Sequence, residues 1–174
     1  MSDFLPTNYD VPSGPSGYMK FEQGSNRFRI LKSPIIGNEG WLNKKPIRKR
    51  MNESFRDDEV EDIEKVKHFW AMVVWNYKAE KVQILEITQK GIQRTIRALA
   101  KDEEWGTPLE YDITVTREGE GMETEYQVVP MPPKPLSESI TKAYNDTSIN
   151  LEALFSGDDP FKSKSLGIEE IENF

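Results

Sequence analysis

Asn43 to Arg50 reads Asn-Lys-Lys-Pro-Ile-Arg-Lys-Arg, five cations without an anion, and Trp41 stands two residues ahead of it. Cations at this density neutralise phosphates and release their counterions. An aromatic face beside them can stack on any base, because every base has a π-face. Upstream, Arg27, Arg29 and Lys32 carry the same sign, and from Arg27 to Arg50 eight cations face one acid, Glu39. Trp70, Trp75 and Tyr77 offer further rings in an apolar run from His68 to Tyr77. The chemistry these residues imply is capture of a phosphodiester strand by charge and stacking. The candidate contacts are Arg27, Arg29, Trp41, Lys44, Lys45, Arg48, Lys49, Arg50, Trp70, Trp75 and Tyr77.

Other chemistries fit the sequence less well. There is no cysteine and a single histidine, His68, which excludes disulfides, thiolate zinc sites and multi-histidine metal sites. His68 reads as an ordinary strand-end residue. Seven acids between Glu53 and Glu64 suggest a metal-dependent nuclease, but such chemistry needs carboxylates fixed by a rigid scaffold. This run has almost no apolar residues, so the expectation is a flexible acidic flap that repels DNA or closes over the basic groove. No metal, cofactor or catalytic residue is expected.

Elements must hold these side chains in place. Residues 1–18 are rich in Pro, Gly, Ser and Asn and are expected to be a flexible arm. Phe28 and Ile30 alternate with Arg27 and Arg29, which is strand periodicity. Gly37-Asn38-Glu39-Gly40 predicts a turn, with Trp41 to Arg50 as a second extended stretch. The run 68–77 and Lys81 to Ile87 predict a hairpin about Lys78–Glu80. Both residue sets of the 68–77 strand are apolar, so spacing leaves open which face is core. Thr88 is the expected N-cap of an amphipathic helix carrying Ile92, Ile96 and Leu99. Tyr111 to Arg117 and Thr124 to Met131 predict a second hairpin about Glu118–Gly121, ended by prolines that cannot donate to a ladder. Ser137 and Ser148 read as caps of two short helices.

This order predicts a mainly β fold, an OB-like five-stranded Greek-key barrel with one helix between its third and fourth strands. The barrel would span 19–135, a short helical appendage 136–156, and a disordered acidic tail 157–174. In the tail, Glu169, Glu170, Ile171, Glu172 and Phe174 alternate charge with apolar bulk, a pattern suited to docking on basic partner surfaces. No stretch is long and apolar enough for a membrane span and no leader pattern opens the chain, so an intracellular protein is expected.

Three pieces resemble a known family. FRIL (Phe28 to Leu31), KVQILEITQKGIQRTI (Lys81 to Ile96) and GTPLEYDITVTREGEGMETEYQVVP (Gly106 to Pro130) are similar to phage-encoded single-stranded DNA-binding proteins of the OB type. The resemblance covers Phe21 to Pro135. It implies sequence-independent binding and protection of single-stranded DNA during phage replication or recombination, in the cytoplasm of a bacterial host. It also implies recruitment of replication or recombination proteins by the tail, and a possible homo-oligomer. Some members of that family carry a zinc-binding insertion, which a chain without cysteine cannot share. The competing classes are a metal-dependent nuclease and a protein-interaction module that does not touch nucleic acid.

Removing Phe174 alone is expected to abolish partner capture while leaving strand affinity unchanged, since every glutamate stays. Pull-down and strand titration on the same variant check this; loss of strand affinity would overturn the separation of roles.

Overall fold

The alternation at 27–30 does produce a strand. In the computed structural model, which describes residue 4 and residues 17–161, it runs for 19 residues as β2 (Gly24–Leu42), after a short β1 (Tyr18–Met19). So long a strand cannot stay flat against its neighbours. Its antiparallel pairing with β4 (Lys67–Asn76) slips in register between Ile30 and Lys32, and again between Lys32 and Ile35. Such irregularities bend a strand and raise its twist. Pro34, which has no N–H for a ladder, falls within the second.

The bend gives β2 three partners. One edge takes β4. The other takes β6 (Asp112–Glu118) at residues 24–29 and β3 (Lys45–Arg50) at residues 37–42. With β5 (Lys81–Ile87) and β7 (Glu125–Pro130), the sheet runs β1-β5-β4-β2-β6-β7, with β3 added on β2. Only the β1–β5 pair is parallel. The result is a mainly β molecule with a curled, open, mixed sheet, a half-barrel.

Three helices attend the sheet among the described residues. α1 (Lys90–Lys101) lies between β5 and β6 and buries Ile92, Gln93 and Ile96. α2 (Glu138–Asp146) begins at Ser137, whose hydroxyl accepts from Ile140 N–H, and α3 (Ala153–Ser156) follows. None is long and apolar enough to cross a membrane.

Both faces of β4 are core. Met72 and Val74 join Phe28, Ile30, Leu85, Ile113 and the α1 isoleucines in one cluster. Phe69, Ala71 and Val73 join Ile84, Leu151 and Leu154 in a second, packed by Phe155 and Phe161. The ambiguous apolar run is thus apolar on both sides because the C-terminal segment covers one side and α1 the other.

Several local expectations differ from the structure. Gly37-Asn38-Glu39-Gly40 is not a turn but the continuation of β2. Its glycines serve close approach: a Cβ at Gly37 would lie 2.2 Å from the Lys49 carbonyl oxygen, and one at Gly40 would lie 2.4 Å from Val60 Cγ1. The stretch 41–50 instead folds back on itself at Asn43–Lys44. Gln89, not Thr88, is the N-cap of α1, and Ser148 caps no helix. Residues on either side of the expected barrel and helical appendage, 19–156, also contact the fold. Gly17 C=O accepts from Ile84 N–H at 2.8 Å, Pro160 C=O accepts from Asn150 N–H at 2.8 Å, and the Phe161 ring meets Tyr18 edge-on at 5.4 Å. The tail residues Glu169, Glu170, Ile171, Glu172 and Phe174 lie outside the described residues, as does most of the 1–18 arm.

A buried carboxylate joins four parts of this fold. Asp112, fully buried on β6, accepts from Arg27 at 2.6 Å and from the Tyr77 hydroxyl at 2.8 Å, and pairs with Arg29 at 3.4 Å and Lys134 at 3.5 Å. Burial opposes its ionisation, but the hydrogen bonds from Arg27 and Tyr77 outweigh it and hold its carboxyl below the ordinary range. Arg29, with 3% of its side chain exposed, also donates to Leu109 C=O and Lys134 C=O.

Asp112→Asn leaves the Arg29 guanidinium buried without its counter-charge. The expected cost is about 3–5 kcal/mol, the usual penalty for breaking a buried pair. Urea unfolding of variant and wild type measures it; a difference under about 1 kcal/mol would show that the network is not a structural centre.

Candidate nucleic-acid interface

The basic run forms a hairpin arm. Asn43 and Lys44 take φ of 52° and 66°, the left-handed values of a two-residue hairpin turn, and this folds β3 back on the end of β2. Trp41 then pairs across the hairpin with Pro46 and stays 48% exposed. Lys44 and Lys45 stand at the tip, without a carboxylate partner among the described residues.

The other three cations of the run are paired with carboxylates. Arg48 bridges Glu39 at 2.9 Å and Glu86 at 2.7 Å, above the Phe69 ring. Lys49 holds Glu59 at 2.7 Å and donates to Ser54 C=O. Arg50 pairs with Glu152 at 2.9 Å and covers the Phe155 ring at 4.5 Å, tying the hairpin to the C-terminal segment. The acidic flap is accordingly fastened rather than loose. Val60 is buried under Gly40, and Glu61 N–H donates to Trp41 C=O at 2.8 Å. The sequence hid this anchor because one valine in a polar run carries no periodic signal.

The remaining candidates lie apart from the arm. Arg27, Arg29 and Tyr77 belong to the Asp112 network, where burial and the Asp112 hydrogen bond raise the Tyr77 hydroxyl to about 12. Trp70 lines an apolar cleft of about 320 Å³ with Met72, Ile96 and Leu109. Trp75 is half-buried in β4, opposite Arg29.

What the fold does assemble is a groove of about 660 Å³ that brings distant segments together. Four rings line it: Tyr18, Phe21, Trp41 and Tyr126. So do four cations, Lys20, Arg48, Lys67 and Arg117, against two carboxyls, Glu39 and Glu86. The Trp41–Pro46 hairpin provides one part of the wall. Another is built where Arg117 on β6 pairs with Tyr126 on β7, Arg117 donates to Phe21 C=O at 3.0 Å, and Phe21 meets Tyr126 at 6.0 Å. A second groove of about 470 Å³ shares Tyr18, Met19 and Lys20 with the first and continues past Asn26, Asn76 and Lys78. Of the residues singled out from sequence, only Trp41 and Arg48 line the main groove. Tyr18, Lys20, Phe21, Lys67, Arg117 and Tyr126 went unrecognised because each is an isolated ring or charge; only the long-range register gathers them.

Glu39 stands out electrostatically. Burial, with the hydrogen bond and negative charge of Glu86, raises its carboxyl from 4.5 to about 8, against the opposing pull of Arg48. Near neutral pH the groove floor thus carries one carboxylate rather than two. Among the described residues, no three His, Asp or Glu side chains gather closely enough to hold a metal ion. Comparison with protein-family models, with curated proteins and with solved structures found no match in any of the three.

Because folded Glu39 keeps its proton up to about 8 while an unfolded glutamate releases it near 4.5, the folded state binds more protons between these values. Stability contributed by this group therefore falls as pH rises through that window and is lost above about 8. Glu39→Gln is expected to flatten the decline, so that its melting temperature gains on wild type between pH 5 and 8.5. Parallel melting curves for the two proteins across that range would contradict the raised value.

Proposed function

We propose that this chain binds single-stranded DNA, without reading a fixed sequence, in the groove between the β2–β3 hairpin and the β6–β7 pair. The observation that supports it best is the lining itself, four exposed or half-buried rings together with cations around one groove. That is the combination a single strand needs, with charge along the backbone and π-faces for the bases. Lys20, Lys44, Lys45 and Lys67 have no carboxylate partner among the described residues, which leaves them available to phosphates. The curled sheet suits an OB-type barrel, a fold that presents a strand-binding face of this kind.

α1 is held against the sheet by Ile92 and Ile96. Single strands should therefore be preferred over duplex. In this reading the acidic and aromatic residues Glu169 to Phe174 recruit replication or recombination proteins, the protein acts during phage DNA metabolism, and no catalysis is involved.

Tryptophan quenching on titration with matched single and double strands tests the proposal, and equal affinity for both would end it. Trp41→Ala should weaken single-strand binding by about 1–3 kcal/mol without changing the melt. With about four phosphate contacts, log K should fall against log salt with a slope near −3. Replacing Lys44 and Lys45 by Gln should reduce that slope by about 1.4, whereas Arg50→Gln should not change it, because Arg50 already serves Glu152 and Phe155.

A further inference from the structure

Two acids on the floor of a groove meant for a polyanion call for an explanation. The single negative charge shared by Glu39 and Glu86 would repel a phosphate placed over them, so the backbone would pass elsewhere, along the exposed Lys20 and Lys67. What lies over the acids is then the edge of a base.

We propose that Glu86 is a specificity-determining residue: its carboxylate accepts a hydrogen bond from the exocyclic amino group of a base seated in the groove, so that cytosine is favoured over uracil or thymine. This rests on the single-strand reading above. The geometry that supports it has three parts. Four rings, Tyr18, Phe21, Trp41 and Tyr126, line the same groove as the acids, so a base stacked on one of them can bring its edge to a carboxylate. Glu86 keeps 19% of its side chain exposed there, and the 2.7 Å bond from Arg48 together with the hydrogen bond to Glu39 leaves about two of its roughly four lone-pair sites open. Glu39 lines the groove with 6% of its side chain exposed, and its Oε2 has no hydrogen-bond partner; it lies 2.9 Å from Arg48 Nε but out of line for a hydrogen bond.

Arg48 is enclosed as well, at 11% exposure, so it orients the carboxylates instead of meeting a phosphate. Of the two acids, the more exposed Glu86 is therefore the acceptor surface offered to a base. Cytosine turns an N4 amino donor toward such a surface, whereas uracil and thymine turn the O4 acceptor, whose lone pairs the carboxylate repels. Adenine and guanine also carry amino groups, but the pyrimidine pair isolates the effect, because cytosine and uracil have the same ring size.

The test compares deoxycytidine and deoxyuridine homo-oligomers of equal length on the full chain, at one pH and one salt concentration, by tryptophan quenching. The expected result is roughly tenfold tighter binding of the cytidine strand, the worth of one hydrogen bond to a charged group. Glu86→Gln should bring the ratio close to one, since an amide can serve either base. If Glu86→Gln does not fold, a strand of N4,N4-dimethylcytosine on the wild-type protein asks the same question: lacking both amino protons, it should bind no better than the uridine strand. Equal affinity of the cytidine and uridine strands, or a preference that survives Glu86→Gln or N4 dimethylation, overturns the assignment. Failure of every strand to bind would instead overturn the single-strand reading beneath it.

Discussion

A strand with three partners must bend, and β2 is that strand. Its 19 residues carry β6 and β3 in turn along one edge and β4 along the other. Extended backbone that stayed flat would aim β3 and β6 alike; the irregularities between Ile30 and Ile35 redirect the second half. Both the Asp112 network and the candidate groove follow from that change of direction. Before the bend, β2 places Arg27 and Arg29 on Asp112. After it, β2 places Glu39 and Trp41 in the groove, opposite residues that come from β1, β5, β6 and β7.

The second organising force is charge compensation at long range. A sequence count gives eight cations against one acid from Arg27 to Arg50, which suggests an uninterrupted basic surface. In the folded chain Asp112, Glu86, Glu59 and Glu152 enter that surface from other segments, and several of its cations become fasteners. Exposed pairs such as Arg50–Glu152 are worth little individually. Their value here is positional, since each joins the hairpin to a different element. The charge that remains for a ligand sits on lysines, at the hairpin tip and at the groove rim.

Legibility in the sequence tracked locality. The alternation at 27–30, the hairpin turn at 78–80, the 3.6-residue repeat of Ile92 and Ile96, and the Ser137 cap are all local signals, and each corresponds to an element of the structure. Gly37 and Gly40 misled because a missing Cβ serves a tight turn and a close packing contact equally well, and only the three-dimensional neighbours, Lys49 and Val60, distinguish them. The groove was the least legible feature. Trp41 drew attention because it adjoins a basic run, but Tyr18 and Tyr126 are 108 positions apart and meet around one cavity only through sheet order. Sequence patterns report which face a residue takes, not which distant residue shares it.

The contact between Gly17 and Phe161 bears on how the polypeptide could be rewired. A Cβ on Gly17 would fall 2.3 Å from the Phe161 ring, so the two ends of the described segment are in direct touch. Chains with this property tolerate circular permutation: a short linker from 161 to 17, with new termini opened at the exposed Gly119–Gly121 turn, would keep each of the six strand pairings. It also means that domains fused upstream of Gly17 and downstream of Phe161 would emerge at one spot beside Tyr18, so the molecule can be inserted into a host protein as a cassette with its groove next to the junction.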